Sequence, residues 1–159
     1  MNDHHHKERA HDPNEPLDYD YIGDGIFIGT DQCCAIGLSE VLKREGITAD
    51  ISLEDVRVDH PFGVDMYLWL PTKDGAPPSQ DQLSLGVHAL EKMSGERRKV
   101  YVHCKNGHGR ATTLVGAYFI AQGKTSTEAF AFIKSKRPDV HLKDAQTKAL
   151  ENYADSLKS

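Results

Sequence analysis

The sequence predicts an α/β fold with a single, mostly parallel sheet flanked by helices, and three observations support this. Short β-forming segments alternate with longer helical ones from residue 21 onward, as in folds whose helices cover both faces of a parallel sheet. The chain has 159 residues, enough for one domain with one substantial core. One β-forming segment leads directly into a glycine-containing loop and an apolar helix, an arrangement that favours an anion site.

Strand and helix boundaries are predicted from glycine, proline and capping residues. In the first half the predicted elements are a strand pair at 22–28, a helix capped by Asp31 that runs to about Arg44, strands at 47–53 and 66–70, and a helix that Ser79 caps and Gly95 follows. In the second half they are a strand at 100–102, a buried helix after Arg110, and helices at 127–136 and 144–156. Trp69 is expected in the core.

Composition excludes several classes of function. The formal net charge of −5 argues against nucleic-acid binding, and no apolar window is long enough to span a bilayer, so no stable membrane association is expected. Three cysteines do not make a disulfide framework, which predicts a reducing, cytoplasmic location.

Residues 1–20 are polar and contain two prolines; they are predicted to form a flexible arm before a domain at 21–159. Their histidine run lacks spaced partners, so no metal site or cofactor is predicted.

The stretch VYVHCKNGHGRATT at 100–113 carries the chemistry. A helix N-terminus presents unpaired N–H groups, and Gly107 and Gly109 allow the backbone to turn them towards one anion. Arg110 adds a planar guanidinium that grips two oxygens at once. The same field favours the thiolate of Cys104, a nucleophile for phosphorus. His103 is expected to support it through hydrogen bonds to the loop.

This stretch resembles the phosphate-binding loop of protein tyrosine and dual-specificity phosphatases, whose pattern is H-C-x5-R followed by Ser or Thr. The segments GITADISL, WLPTKDGAPPS and KRPDVHLKDAQTKAL resemble other parts of those enzymes, so the likeness extends over about 21–153. It implies a protein tyrosine phosphatase-like fold and metal-independent hydrolysis of a phosphorylated protein or other phosphomonoester through a cysteinyl phosphate. It also implies a phosphate site made by Arg110 with the loop residues Lys105, Asn106, Gly107, His108 and Gly109.

Asp74 is the candidate general acid. It follows a predicted strand within a Gly/Pro-rich loop on the same sheet edge as the Cys104 loop, and the resembling enzymes have their acid at this place. A plain turn aspartate is the alternative, because Lys-Asp-Gly is a good turn sequence. Asp81 and Asp65 are the reserve candidates.

One position departs from the family pattern. Ala111 stands where a Ser or Thr hydroxyl helps to release the thiol, and Thr112, about 100° further around the helix, is an uncertain substitute. A low-turnover phosphate-binding pseudophosphatase is therefore an alternative function. Others are a phosphoinositide or small-molecule phosphatase, weakly favoured by Lys105 and His108, and sulfur transfer or arsenate reduction, which need no acid at Asp74.

Overall fold

The computed structural model describes residues 18–30, 35–56, 58 and 63–158, and for residues 35–39 the backbone alone. Within this part, strands and helices alternate along the chain. They are β1 (Tyr19–Gly23), β2 (Ile26–Thr30), α1 (Ala35–Glu45), β3 (Ile47–Ser52), β4 (Met66–Trp69), α2 (Gln80–Gly95), β5 (Lys99–Cys104), α3 (Arg110–Ala121), α4 (Ser126–Lys136) and α5 (Asp144–Ser156).

The strands form one sheet in the order β1-β2-β5-β3-β4. The β2–β5, β5–β3 and β3–β4 pairs are parallel, and only β1 runs antiparallel to its neighbour. The predicted α/β class with a mostly parallel sheet is therefore confirmed. β5 is the central strand and ends at Cys104, which pairs with Thr30 of β2. The segment after β5 thus leaves from the middle of the carboxyl edge of the sheet, where open α/β sheets place their ligands.

Helices cover both faces of the sheet because alternate side chains of its strands are apolar on both sides. Ile26, Ile28 and Val102 belong to the larger core cluster, which also contains side chains of α2, α3, α4 and α5. Phe27 and Tyr101, one residue away along their strands, belong to a smaller cluster with side chains of α1. The helix α3 packs against α2, α4 and α5, so every residue from its start to Ile120 is buried, as its nearly uniform apolar sequence predicts.

Capping residues fix the helix ends close to the predicted positions. Ser79 caps α2, as predicted, and forms a capping box with Gln82. Thr125 caps α4 in the same way, so this helix begins at Ser126, one residue before the predicted start. The described part of α1 begins at Ala35, and its predicted cap, Asp31, lies outside the described residues.

Two predictions need correction. β1 begins at Tyr19, so the sheet includes two residues assigned to the arm that was predicted to end at residue 20. Cross-strand pairing to Gly29 orders this polar segment, which has no apolar pattern to reveal it. Trp69 is 39% exposed rather than in the core, because β4 is an edge strand and the indole Nε1 donates a 2.6 Å hydrogen bond to the Glu54 carbonyl.

No helix in the described part of the chain is both long enough and apolar enough to cross a membrane.

Candidate active site

Cys104 lies at the carboxyl end of the central strand, and Arg110 opens α3 after a loop of five residues. We call residues 104–110 the phosphate loop. Both end residues are buried, with 2% of Cys104 and 3% of Arg110 exposed. Gly107 adopts a φ of +66°, and a Cβ there would stand 2.6 Å from the carbonyl oxygen of Gly29. The loop therefore requires glycine at this position both for its backbone angle and for space.

Arg137 holds the outer side of the phosphate loop. Its Nε donates to the Gly107 carbonyl at 3.1 Å and its Nη2 to the Asn106 carbonyl at 3.2 Å. Its charge is balanced by Asp18 and Asp20 at 3.1 and 2.9 Å from Nη1. In a trans peptide the N–H points opposite to the C=O, so the amides that follow these two carbonyls point away from Arg137 and are available to an anion.

The guanidinium of Arg110 is held by the segments that follow β3 and β4. Its Nη1 donates to the carbonyl of Thr72 at 2.8 Å and lies 3.7 Å from the buried carboxylate of Glu54. Glu54 in turn accepts hydrogen bonds from the backbone N–H groups of Asp55 and Val56 at 3.0 and 3.2 Å. These contacts fix a cation at the mouth of the loop.

Asp74 lies above the same cation. Its Oδ1 is 3.8 Å from Arg110 Nη2, and its side chain is 81% exposed. We call residues 71–78 the acid loop. The Gln146 amide donates to the Ala76 carbonyl at 3.2 Å, which ties the acid loop to α5. The structure therefore brings Asp74 to the phosphate loop, as the sequence predicts; its role as the acid stays a prediction.

The two reserve aspartates lie elsewhere. Asp65 precedes β4 at the opposite end of the strand from the acid loop and pairs with Arg98 at 2.9 Å. Asp81 lies in the first turn of α2, where a carboxylate favours the helix dipole, and lines a groove beside α5. Neither has a contact with Arg110 among the described residues, so Asp74 is the one of the three candidates that the fold brings to Arg110. Asp55, which follows β3, also approaches the guanidinium, with its Oδ1 3.4 Å from Nη1.

His103 contacts the neighbouring strand of the sheet. Its Nε2 lies 2.7 Å from Oδ1 of Asp50 on β3, and both side chains are buried. The residue before Cys104 is thus anchored to β3, and its expected hydrogen bonds to the loop stay a prediction. Sequence reasoning missed Asp50 because a lone acidic residue in a strand carries no local pattern.

Ala111 lacks the hydroxyl of the family pattern, and the next two residues of α3, Thr112 and Thr113, each carry one. Ala111, Thr112 and Thr113 have no exposed surface. Thr113 Oγ1 donates to the Gly109 carbonyl at 2.7 Å, an ordinary bond within a helix turn. Thr112 Oγ1 is buried and has no hydrogen-bond partner among the residues that the structure describes. Thr112 therefore retains a hydroxyl that no described residue binds.

The remaining predicted phosphate-site residues lie on the outer part of the loop. Lys105 and Asn106 are exposed, whereas His108 and Gly109 are half-buried. The pKa of His108 is lowered, first by burial and then by the nearby positive charges of Arg137 and His141. Residues of the α4–α5 connection thus reach the phosphate loop. The phosphate-binding role of the loop residues stays a prediction.

Sequence reasoning also gave too little weight to two residues from the C-terminal half. Arg137 belongs to the KRPDV segment, and the family resemblance is the only feature of the sequence that indicates a role for this segment. Gln146 is 2% exposed, and its Oε1 accepts from the Lys143 N–H at 3.0 Å. A Cβ on Gly109 would stand 2.9 Å from Gln146 Nε2, so Gln146 touches both the phosphate loop and the acid loop.

Comparison with known proteins agrees with this geometry. Residues 26–156 match the family described as the dual specificity phosphatase catalytic domain. The chain is 37% identical to the phosphatidylglycerophosphate phosphatase PTPMT2 of Arabidopsis thaliana over 55% of its own length and 40% of the relative's. It is 34% identical to the human protein tyrosine phosphatase type IVA 3 over 72% of its length and 68% of that protein's. The chain thus spans less than half of some curated relatives.

Solved structures share the fold. Human DUSP28 superposes with a TM-score of 0.77 at 24% identity, covering 94% of this chain and all of that one. PTPMT1 in complex with PI(5)P gives a TM-score of 0.76 at 20% identity, covering 88% of this chain and 96% of that chain. The predicted phosphatase-like fold is confirmed, and the chain belongs to the dual specificity phosphatase family of the protein tyrosine phosphatase superfamily.

Proposed function

We propose that this protein is a cysteine-dependent phosphomonoester hydrolase of the dual-specificity type. The observation that carries the proposal is the convergence of Cys104, Arg110 and Asp74. The first two stand at the two ends of one loop at a helix N-terminus, and the third lies 3.8 Å from the second. The proposed nucleophile, cationic clamp and proton donor thus share the carboxyl edge of the sheet, which supports the proposal.

The first step transfers the phosphoryl group to the enzyme. The Cys104 thiolate attacks phosphorus, forming an S–P bond while the bond to the leaving oxygen breaks. The loop amides and Arg110 hold the three equatorial oxygens, where charge is concentrated in the transition state. The proton of Asp74 moves to the leaving oxygen, so that an alcohol or phenol departs and Asp74 becomes a carboxylate.

The second step restores the enzyme. The Asp74 carboxylate takes a proton from a water molecule whose oxygen attacks phosphorus, and the S–P bond breaks to regenerate the thiolate. Inorganic phosphate is the product, and no electron donor or acceptor is required. A thiolate and a protonated acid are needed together in the first step, so the rate is expected to be greatest at about pH 5.5–6.5.

The substrate is a phosphorylated protein or another phosphomonoester. Relatives of this chain carry names that include protein tyrosine phosphatase and phosphatidylglycerophosphate phosphatase. The exposure of Lys105 beside the half-buried His108 favours a lipid headgroup or small phosphate as the second candidate, because both side chains add donors for a further anion. A cytoplasmic location and the absence of nucleic-acid partners are also proposed.

Two rival functions make different predictions. A phosphate-binding pseudophosphatase, suggested by Ala111, would bind phospho-ligands and release no more than one equivalent of product. Sulfur transfer or arsenate reduction also uses a cysteine in an anion loop but needs no acid at Asp74, so Asp74→Asn would leave those activities largely unchanged.

The test is hydrolysis of a small aryl phosphate across pH in the presence of a chelator, with wild type, Cys104→Ser and Asp74→Asn compared. We expect sustained turnover in wild type and none in Cys104→Ser. Asp74→Asn is expected to lower the maximum rate and to remove the decline above the optimum, because that decline reports deprotonation of the acid. A rate that rises steadily above neutrality in wild type would count against Asp74.

A further inference from the structure

A groove between α2 and α5 lies apart from the phosphate loop. Its volume is about 480 Å³, within the range of small-molecule sites, and no residue of the phosphate loop or of the acid loop lines it. The two helices are joined where Gln80 Nε2 donates to the Ala149 carbonyl at 3.1 Å. Ala121, the last residue of α3, and Leu157, which follows α5, give the groove apolar surface. The groove is therefore a second concave site, and the proposed mechanism uses none of its lining residues.

The groove is negatively charged. Asp81 and Glu91 line it from α2, both are exposed, and neither forms an ion pair with a described residue. Among the described residues that line the groove there is no lysine or arginine. The last residues of α3 and α5, Ala121 and Ser156, also line it, so the negative ends of two helix dipoles lie there. Together these features favour a cation over an anion.

A buried polar side chain opens into the same groove. Tyr153 of α5 is 6% exposed, and it lines the groove. Its hydroxyl forms no hydrogen bond with a described residue and is not fully enclosed, so its lone pairs are open to a ligand. Burial and then the carboxylate of Glu91 raise the pKa of Tyr153, so the phenol stays neutral and Glu91 lies near it. An N–H donor that enters the groove can therefore meet a carboxylate and a hydroxyl together.

The spacing of the two carboxylates selects the shape of the cation. Asp81 and Glu91 are ten residues apart on one helix, which places them about 15 Å apart along its axis. One metal ion cannot bridge that distance, because its oxygen ligands lie within about 2.6 Å of it. A peptide would need about five residues to span it and would bring backbone carbonyls that require donors. A protonated aliphatic polyamine carries only donors on an apolar stem, which suits both the carboxylates and the apolar surface of Ala121 and Leu157.

We propose that the groove between α2 and α5 binds a linear aliphatic polyamine, with one ammonium group at Asp81 and another at Glu91 and Tyr153. The inner amines of the ligand face Ser84 and His88, which lie between the two carboxylates on the same face of α2. The ligand is a cation, and the groove is separate from the phosphate loop. The site therefore goes beyond the proposed hydrolase function and does not depend on it.

The test is calorimetric titration of the full chain with spermine at an ionic strength of about 0.15 M. We expect spermine to bind with a Kd below about 1 mM. Glu91→Gln and Asp81→Asn are each expected to weaken binding at least about threefold, and Tyr153→Phe about fivefold. Glu40→Gln is the matched control, because it removes one exposed carboxylate from α1, on the other face of the sheet, and keeps the wild-type affinity. Aryl phosphate hydrolysis by Glu91→Gln is expected to match wild type, which shows that the variant is folded.

Two diamines of equal charge test the spacing. We expect 1,12-diaminododecane, which is long enough to reach both carboxylates, to bind wild type at least about fivefold more tightly than 1,4-diaminobutane, which reaches one. The preference is expected to disappear in the double variant Asp81→Asn/Glu91→Gln, because the methylene stem alone does not select the groove.

Three results would overturn the site. The first is a Kd for spermine above about 1 mM, and the second is equal weakening in Glu91→Gln and Glu40→Gln, which would indicate a general effect of net charge. The third is equal affinity of wild type for the two diamines. Tighter binding of the pentapeptide Lys-Ala-Ala-Ala-Lys than of spermine would overturn the assignment of a polyamine and indicate a basic protein segment as the occupant.

Discussion

Arg137 Nε lies 3.1 Å from the carbonyl oxygen of Gly107, and this hydrogen bond joins the connection after α4 to the phosphate loop. A second hydrogen bond, from Arg137 Nη2 to the Asn106 carbonyl, makes the contact bidentate. Because Arg137 holds two successive carbonyls on the outside of the loop, it acts as a positioning residue for the amides on the inside.

Replacement of Arg137 by lysine is expected to impair both stability and catalysis. Lysine has a single ammonium group, which cannot donate to two carbonyls and two carboxylates at once as the planar guanidinium of arginine does. We expect the free energy of unfolding to fall by about 2–3 kcal/mol, a range that allows for the partial exposure of Asp18 and Asp20. We also expect kcat for an aryl phosphate to fall more than KM rises, since the loop amides act in the transition state. Arg97→Lys, at an exposed position, should change neither quantity, and equal behaviour of the two variants would contradict the role of Arg137.

Gly107→Ala is expected to distort the phosphate loop. Gly107 and Gly46 have φ angles of +66° and +71°, so alanine at either position carries a backbone cost of roughly 1–2 kcal/mol. At Gly46 the new Cβ meets nothing within 4 Å, whereas at Gly107 it would stand 2.6 Å from the Gly29 carbonyl oxygen. We expect kcat/KM to fall at least about 100-fold in Gly107→Ala, because small displacements of reacting groups have effects of this size. Chemical denaturation and steady-state kinetics of both variants provide the test, and full activity in Gly107→Ala would contradict the geometry.

Thr112 and Thr113 allow a matched comparison of two buried hydroxyls. Thr112→Val removes a hydroxyl that has no hydrogen-bond partner among the described residues, so we expect stability to rise by about 1 kcal/mol. Thr113→Val removes the 2.7 Å bond to the Gly109 carbonyl and should lower stability by about the same amount. Both are measured by urea denaturation. If Thr112→Val also slows release of phosphate after a rapid first turnover, its hydroxyl assists the second step in place of the residue at position 111.

Ala111→Ser is expected to accelerate hydrolysis of the cysteinyl phosphate. A hydroxyl directly after the arginine is the family pattern, and one new hydrogen bond to the departing thiolate corresponds to about tenfold in rate. Ala117→Ser, equally buried and on the same helix, controls for the cost of a new hydroxyl in the core. Rapid-quench kinetics would show a smaller burst and faster steady state in Ala111→Ser alone. An unchanged second step would mean that another group already assists the release of the thiol.

Local signals in the sequence were sufficient for the central part of the fold and the site. β5, the phosphate loop and α3 are contiguous in the sequence. The strand, the glycines of the loop and the residues at its two ends, Cys104 and Arg110, could therefore be predicted from neighbouring residues. Asp74 could be found because acid loop and phosphate loop leave the same edge of a parallel sheet. The capping signal at Ser79 likewise lies within four residues of sequence.

Contacts between distant segments could not be predicted. Glu54 approaches Arg110 only because β3 and β5 are neighbours in the sheet, and Asp50 reaches His103 for the same reason. The pairing of β1 with β2, which extends the sheet to Tyr19, depends on backbone hydrogen bonds that no apolar pattern announces. The exposure of Trp69 follows from the position of β4 at the sheet edge, which strand order alone determines.

Trapping of the phosphoenzyme tests the central claim most directly. Wild type is mixed with an excess of aryl phosphate, quenched in acid within the first turnover, digested and analysed by mass spectrometry. The account predicts one phosphoryl group on the peptide that contains Cys104, less of it in Ala111→Ser than in wild type, and none in Cys104→Ser. Turnover that persists in Cys104→Ser, or a phosphoryl group on a different residue, would contradict the assignment of Cys104 as the nucleophile.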